Sequence, residues 1–358
     1  MNSRIKTLMS LVAVFIFAAA FVIGCTKPTD TSETTGENGS NKPASKGAIV
    51  IKSALAENED AAVAGKTAAD ALKKAMGDTE AKVVLVTDCF DDKELKTKVV
   101  EAVTSVFSKD IVIGFSGYGG FTQDGAQDLD TVCVLGIGGA GIDVQTAMVK
   151  EMGAKGLSFE TDKEKLTKAL GDGARKLAGQ LAKKPNSQLL IAIPDAHSPK
   201  NQLFMDGLQE VVGKDFPITG GSISKNDGET FLHYQGQLYS DSAIAIMLSG
   251  DFKVAMAGRQ AKTNDAVIAT AKDAAEEALK KLDAEPIAMI AFDCAGRKGK
   301  LDNLGDELAA FQSVTGKDIT LFGCYCAGEF GPADVTEKTP GVLSSGMGWH
   351  AMVTVIGR

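Results

Sequence analysis

The sequence is poor in tryptophan, histidine and tyrosine, with one Trp, three His and four Tyr in 358 residues. Only His197, His233 and His350 are available as imidazole bases, and none is tied to a cysteine by local spacing, which weighs against a cysteine nucleophile. No Lys/Arg-rich run occurs and the formal net charge is −8, a balance that excludes nucleic acid and anionic lipid surfaces as expected partners. Gly136-Ile-Gly-Gly-Ala-Gly141 follows a strand pattern and superficially suggests a dinucleotide turn. No clear βαβ unit with an acidic residue about twenty positions on accompanies it, and no G-x-x-x-x-G-K-[ST] is present, so no nucleotide cofactor is expected. Cysteines are few and odd in number once Cys25 is set aside: Cys89, Cys133, Cys294, Cys324 and Cys326 form no evenly spaced disulfide framework. Partners at zinc-ligand spacing are missing, so no metal is expected. Cys324-Tyr325-Cys326 is expected to send its two thiols to opposite faces of an extended segment.

Against these absences stands a leader. Arg4 and Lys6 precede an apolar run from Leu8 to Ile23 that is broken only by Ser10, which suits an export signal and is short for a membrane span. It closes in Val22-Ile23-Gly24-Cys25, a tetrapeptide that resembles the bacterial lipobox and implies acylation of Cys25. Acyl chains there would hold the protein to a bacterial membrane by burying methylenes at about 0.8 kcal/mol each. Residues 25–46 are Ser, Thr, Gly, Asn and Pro with scarcely an apolar side chain. That composition cannot offset its ordering entropy, so it is expected to be a flexible linker between the membrane and a folded, extracytoplasmic part that begins near Gly47.

The folded part repeats itself. Val83–Val86 leads to Asp88, Leu189–Ile193 to Asp195, and Ile287–Phe292 to Asp293. Each is followed by a helix pattern, a second apolar strand and a Gly-rich turn, at Gly114, Gly220 and Gly323. With the three aspartates aligned, the copies start about 100 residues apart, which predicts three strand–helix–strand units. A hairpin is expected over Thr230–Tyr239, turning at Gln235-Gly236. Helices are expected over Asp60–Met76, after Asp91-Asp92, and from Thr161 with Leu166, Leu170, Leu177 and Leu181 on one stripe. The expected fold class is therefore α/β, with mixed sheets, flanking helices and added hairpins.

Both strands of the third unit end in residues with chemistry: Cys294-Ala-Gly-Arg297 after the first, and Gly323-Cys-Tyr-Cys-Ala-Gly-Glu329 after the second. Carboxyl ends of strands are where open α/β sheets bind ligands. Arg297 and Glu329 are expected to be neighbours, either as a structural ion pair or as readers of a ligand carboxylate and ammonium. Asp88 serves equally as a helix cap or a ligand contact.

These residues, with Glu307 and Gly331-Pro332, resemble the C-terminal half of the FIST domain, a sensory domain of bacterial signalling proteins. Ile113-Gly114-Phe-Ser-Gly117 with Gly125, and Pro217-Ile-Thr-Gly220-Gly221 with the hairpin over Phe231–Leu248, resemble its N-terminal half. The resemblance runs from about Lys82 to Ile356, and the chain divides as residues 47–260 and 261–358. It implies a small-ligand sensor without enzymatic activity, its ligand amino-acid-like, with a site among Arg297, Glu329, Cys294, Cys324, Cys326, Ser116, Gly117 and Asp88. No kinase, cyclase or chemotaxis module is read in the chain, so a separate signalling protein is the implied partner. The alternatives are a cysteine-dependent enzyme and an interaction lipoprotein that takes no small ligand.

Overall fold

A computed structural model describes residues 47–224 and 230–358; the leader, Cys25 and the linker lie outside the described residues. From Val50 onward the chain runs through the same sequence of elements three times. Unit 1 comprises β1 (Val50–Glu57), α1 (Ala61–Met76), β2 (Ala81–Cys89), α2 (Lys93–Thr104), β3 (Val112–Ser116), β4 (Gly120–Thr122), β5 (Gly125–Gln127) and β6 (Thr131–Gly138). Unit 2 comprises β7 (Ile142–Val149), α3 (Lys163–Gly179), β8 (Ser187–Pro194), α4 (Asn201–Val212), β9 (Ile218–Gly221), β10 (Leu232–Tyr234), β11 (Gln237–Tyr239) and β12 (Ala243–Gly250). Unit 3 comprises β13 (Lys253–Gln260), α5 (Asn264–Lys281), β14 (Pro286–Cys294), the short α6 (Ala295–Lys298), α7 (Leu304–Thr315), β15 (Thr320–Cys326), β16 (Glu329–Gly331), β17 (Ser345–Met347) and β18 (His350–Gly357).

Each unit builds one mixed six-stranded sheet, and each sheet borrows a hairpin. The orders are β1-β6-β2-β3-β10-β11, β7-β12-β8-β9-β16-β17 and β13-β18-β14-β15-β4-β5. In every sheet the second and third strands of the unit (β2–β3, β8–β9 and β14–β15) pair in parallel through a helical crossover, and the remaining pairs are antiparallel. Unit 2 thus gives its hairpin to unit 1, unit 3 to unit 2, and unit 1 to unit 3, closing a ring of exchanges. Backbone bonds pin the ring at the ends of β3, β9 and β15: Ser224 N to Ser116 O at 2.7 Å, Ser222 N to Gly328 O at 2.7 Å, and Tyr118 N to Tyr325 O at 2.9 Å.

Strand alternation explains the layering, because successive side chains point to opposite faces. One face of all three sheets meets in a shared core that includes Val83, Leu85, Phe115, Ile191, Ile193, Ile246, Ile290, Phe292 and Phe322. The other faces are each covered by their own unit's helices. Burying each such side chain stabilises the fold by roughly 1.5–3 kcal/mol. Helix starts follow the sequence: Asp60 accepts from Ala62 N and Val63 N, and Asp92 from Leu95 N. Close packing explains Gly207 of α4, where a Cβ would lie 2.7 Å from Gly171 O, and Gly173 of α3, where one would lie 2.8 Å from Met152 Sδ.

Three expectations need correction. Gly114, Gly220 and Gly323 lie within β3, β9 and β15 rather than after them, because each strand continues past its glycine. Cys324 and Cys326 share a face, as residues two apart on a strand must, and their sulfurs lie 3.8 Å apart in the shared core. The aspartate alignment also fails in one unit. Val84 and Val86 face the helices in unit 1 and Met289 and Ala291 do so in unit 3, so Asp88 and Asp293 follow on that face. In unit 2 the same face carries Leu190 and Ala192, which puts Pro194 at the register position and Asp195 one residue beyond it.

Candidate functional site

In unit 3 the carboxyl end of β14 is filled by a buried ionic network. Arg297 emerges from α6, one helical turn after Asp293, and donates from Nε to Asp293 Oδ1 at 2.8 Å. Its other nitrogens reach Glu307 Oε1 at 2.8 Å, Thr270 Oγ1 at 3.0 Å and Val267 O at 3.1 Å. Tyr325 completes the group by donating to Glu307 Oε2 at 3.0 Å. Asp293, Arg297 and Glu307 are fully buried. Arg297 therefore pairs with Asp293 and Glu307, not with Glu329. Burial, with Asp293 next to it, pushes the Glu307 carboxyl up to about 8, and burial raises Asp293 as well. Two carboxyls facing one guanidinium thus keep a proton between them, and Asp293 Oδ2 has no other partner to receive it.

Glu329 lies on the opposite side of the same strand ends, fully buried, with Oε2 accepting from His350 N at 3.2 Å and Oε1 unpartnered. Burial raises its pKa well above the carboxylate range. His350 is held neutral by burial, with Nδ1 2.8 Å from Gly348 O and Nε2 accepting from Asp334 N at 3.2 Å. On that geometry its 3.0 Å approach to Glu337 is not an ion pair. Cys294 caps α6 by accepting from Gly296 N, against which the Trp349 ring packs. Burial pushes the Cys294 and Cys89 thiols up to about 12 and Cys133 and Cys326 well up, which leaves almost no thiolate at neutral pH.

Unit 1 is closed in the same way. Asp88 accepts from Ser116 Oγ at 3.2 Å and lies 2.9 Å from His233 Nε2, within ion-pair distance but out of line for a hydrogen bond. Lys96 from α2 is buried beside it, its ammonium bonded to Phe90 O and, at 2.9 Å, to Asp91 O. Burial lowers the Lys96 pKa, and Asp88 is the leading charge that opposes this. Gly117 is tied into the wall, donating to Asp88 O at 2.8 Å. Ser116, Gly117, Asp88, Arg297, Glu329, Cys324 and Cys326 are all buried, and Cys294 is 8% exposed.

The corresponding place in unit 2 is open. A cleft of about 590 Å³ lies at the end of β8, lined by Asp195, His197, Ser198, Lys200, Thr230 and, from the facing loop, Lys155 and Phe159. Asp195 Oδ2 accepts from the Thr230 hydroxyl and from Asp241 N at 2.8 Å. Asp241 in turn accepts from Gly153, Ala154 and Lys155 N–H at 2.8, 2.9 and 3.1 Å, which fixes the loop that forms the far wall. Lys200 Nζ donates to Leu157 O at 2.6 Å. Volume alone does not single out this cleft, since grooves of about 420 and 610 Å³ flank α3. Those run along the outer helical layer, one of them reaching the end of β7 at Val149, and charges in them pair with one another, as in Lys168–Asp172 and Arg175–Glu210. Of the cleft residues, sequence reasoning named Asp195 as a strand-end acid and His197 as an available base without joining them in a site; the available signal was the polar run Asp195-Ala-His-Ser-Pro-Lys200 directly after an apolar strand.

Among the described residues no group of three His, Cys, Asp or Glu side chains is arranged to hold a metal ion, and no helix is long and apolar enough to cross a membrane. Residues 82–285 match the family model described as the FIST N domain. No curated protein matches the chain. Among solved structures, cyanuric acid hydrolase from A. caulinodans aligns at 10% identity over 87% of this chain and 99% of that one, with a TM-score of 0.42. A second cyanuric acid hydrolase aligns at 8% identity with the same coverages and a TM-score of 0.45. PurLQS from Thermotoga maritima aligns at 9% over 87% of this chain and 73% of that one, with a TM-score of 0.27.

Proposed function

Because the chain belongs to the FIST family, a sensory family that binds small ligands, we propose that it is a membrane-tethered sensory lipoprotein. It captures an amino acid or similar small solute and signals its presence to a separate protein. The observation that carries this reading is the open cleft of unit 2, whose volume of about 590 Å³ is in the range of small-molecule sites. The cleft stands at the carboxyl end of β8, and its polar groups converge on a space with one aromatic wall, Phe159. The reading of a tethered, extracytoplasmic folded part is supported by Cys25 and the apolar run before it. The protonated state of the buried thiols supports binding over cysteine-dependent catalysis.

A thermal-shift screen against amino acids and related small acids tests this reading. A ligand present at 100 times its dissociation constant adds about 2.7 kcal/mol of stability. The expected result is a reproducible rise in midpoint confined to one chemical class. Silence across the whole set would favour an interaction lipoprotein without a small ligand.

A further inference from the structure

We propose that the unit 2 cleft binds its ligand through a carboxylate held by Lys200, so that the ligand supplies the acid this unit lacks. The inference rests on the small-ligand reading above and adds to it the ligand group that is obligatory and the side chain that holds it.

The three units make the case by comparison. At the equivalent register position near the carboxyl ends of β2 and β14, unit 1 has Asp88 and unit 3 has Asp293, both buried. Each unit also sends one cation from the start of the helix that follows: Lys96, the fourth residue of α2, and Arg297, the third residue of α6. Acid and base lie together at the strand end, where Asp88 is 2% and Asp293 0% exposed. Unit 2 breaks the pattern on both counts. Pro194 occupies the register position, and Lys200, which immediately precedes α4, is only partly buried and lines the cleft. An ammonium has three N–H donors, and the Leu157 carbonyl uses one of those on Lys200.

The acids already in the cleft have partners of their own. Asp195 accepts from Thr230 and Asp241, and Glu160 accepts from Ser158 Oγ at 2.5 Å. Glu160 lies close enough to Lys200 to feel its charge, but no hydrogen bond joins them. Lys155 adds a second positive charge at the rim, and Phe159 offers an apolar surface to the remainder of a ligand. A small carboxylate with a compact apolar or polar body fits this arrangement. A neutral amide in its place would leave the Lys200 charge without a counter-ion.

The test is a thermal-shift and calorimetric comparison of matched pairs, each acid against its own primary amide: glycine, alanine, leucine, glutamate (at its α-carboxyl), acetate and benzoate. Acids are expected to stabilise the protein and their amides not to. For the best acid, Lys200→Gln is expected to weaken binding about tenfold or more, and Lys200→Arg to stay within about threefold of the parent. Amides that bind as well as acids, or an unchanged dissociation constant in Lys200→Gln, would overturn the proposal while leaving the small-ligand reading intact. Binding by no member of the set would count against both. The acid–amide contrast needs no variant, so it stands even if a substitution at Lys200 disturbs folding.

Discussion

Arg297→Met is expected to destabilise the protein by about 3–5 kcal/mol in chemical denaturation at pH 8, the cost of leaving buried acids without their cation. The guanidinium makes four hydrogen bonds in a fully buried space, two of them to Asp293 and Glu307. Methionine fills much of the volume but satisfies none of those acceptors. The loss should depend on pH, and its sign follows from the raised acids. Glu307 is pushed from about 4.5 up to about 8, so the folded protein holds a proton that the unfolded chain releases between those values. Stability linked to this group is therefore fully present below about 4.5 and is lost as pH rises through about 8. Removing the cation raises both acids further, so Arg297→Met should cost less at pH 5, where they can take up protons, than at pH 8. Glu307→Gln should flatten the decline over that window. A loss below about 1 kcal/mol for Arg297→Met at pH 8 would mean that the network does not hold the strand ends together.

The second large effect is expected at Gly220. Its φ of 151° is one that side chains rarely adopt, and a Cβ there would drive into the Ala192 carbonyl of the neighbouring parallel strand. Gly220 also pairs with Phe330 of the hairpin that unit 3 contributes, so the residue joins two units. Gly220→Ala should cost about 3 kcal/mol, at the upper end of the overpacking range. Gly179→Ala, at the end of α3 with nothing near its would-be Cβ, should be neutral or slightly stabilising. Equal effects at the two sites would show that the close approach at Gly220 relaxes freely.

The three-unit plan is legible in the sequence because apolar runs, acids and glycines recur in one order. The exchange of hairpins is not, because each hairpin lies within its own unit in sequence and nothing local specifies the sheet it joins. The loops add no signal: β4–β5 and β10–β11 turn in two residues, whereas β16 and β17 are separated by residues 332–344. Arg297 and Glu329 were identified as notable charges, but their partners were not. Asp293 lies one helical turn from Arg297 across a strand–helix junction, and Glu307 comes from a different helix, so only the folded chain shows that the guanidinium is saturated. The cleft was obscured by a single position. Aligning Asp195 with Asp88 and Asp293 makes the three units look equivalent, whereas strand alternation puts Pro194 at that position and leaves unit 2 without the acid that closes the other two.

Hydrogen exchange measured by mass spectrometry, with and without the acid that stabilises the protein most, tests the central claim that the unit 2 cleft is the ligand site. The expected result is slowed exchange in the facing loop around residues 154–160 and at residues 195–203, with little change at residues 88–96 and 293–300. Protection confined to the strand ends of unit 3, around Arg297 and Glu329, would contradict the assignment and place the ligand at that buried site.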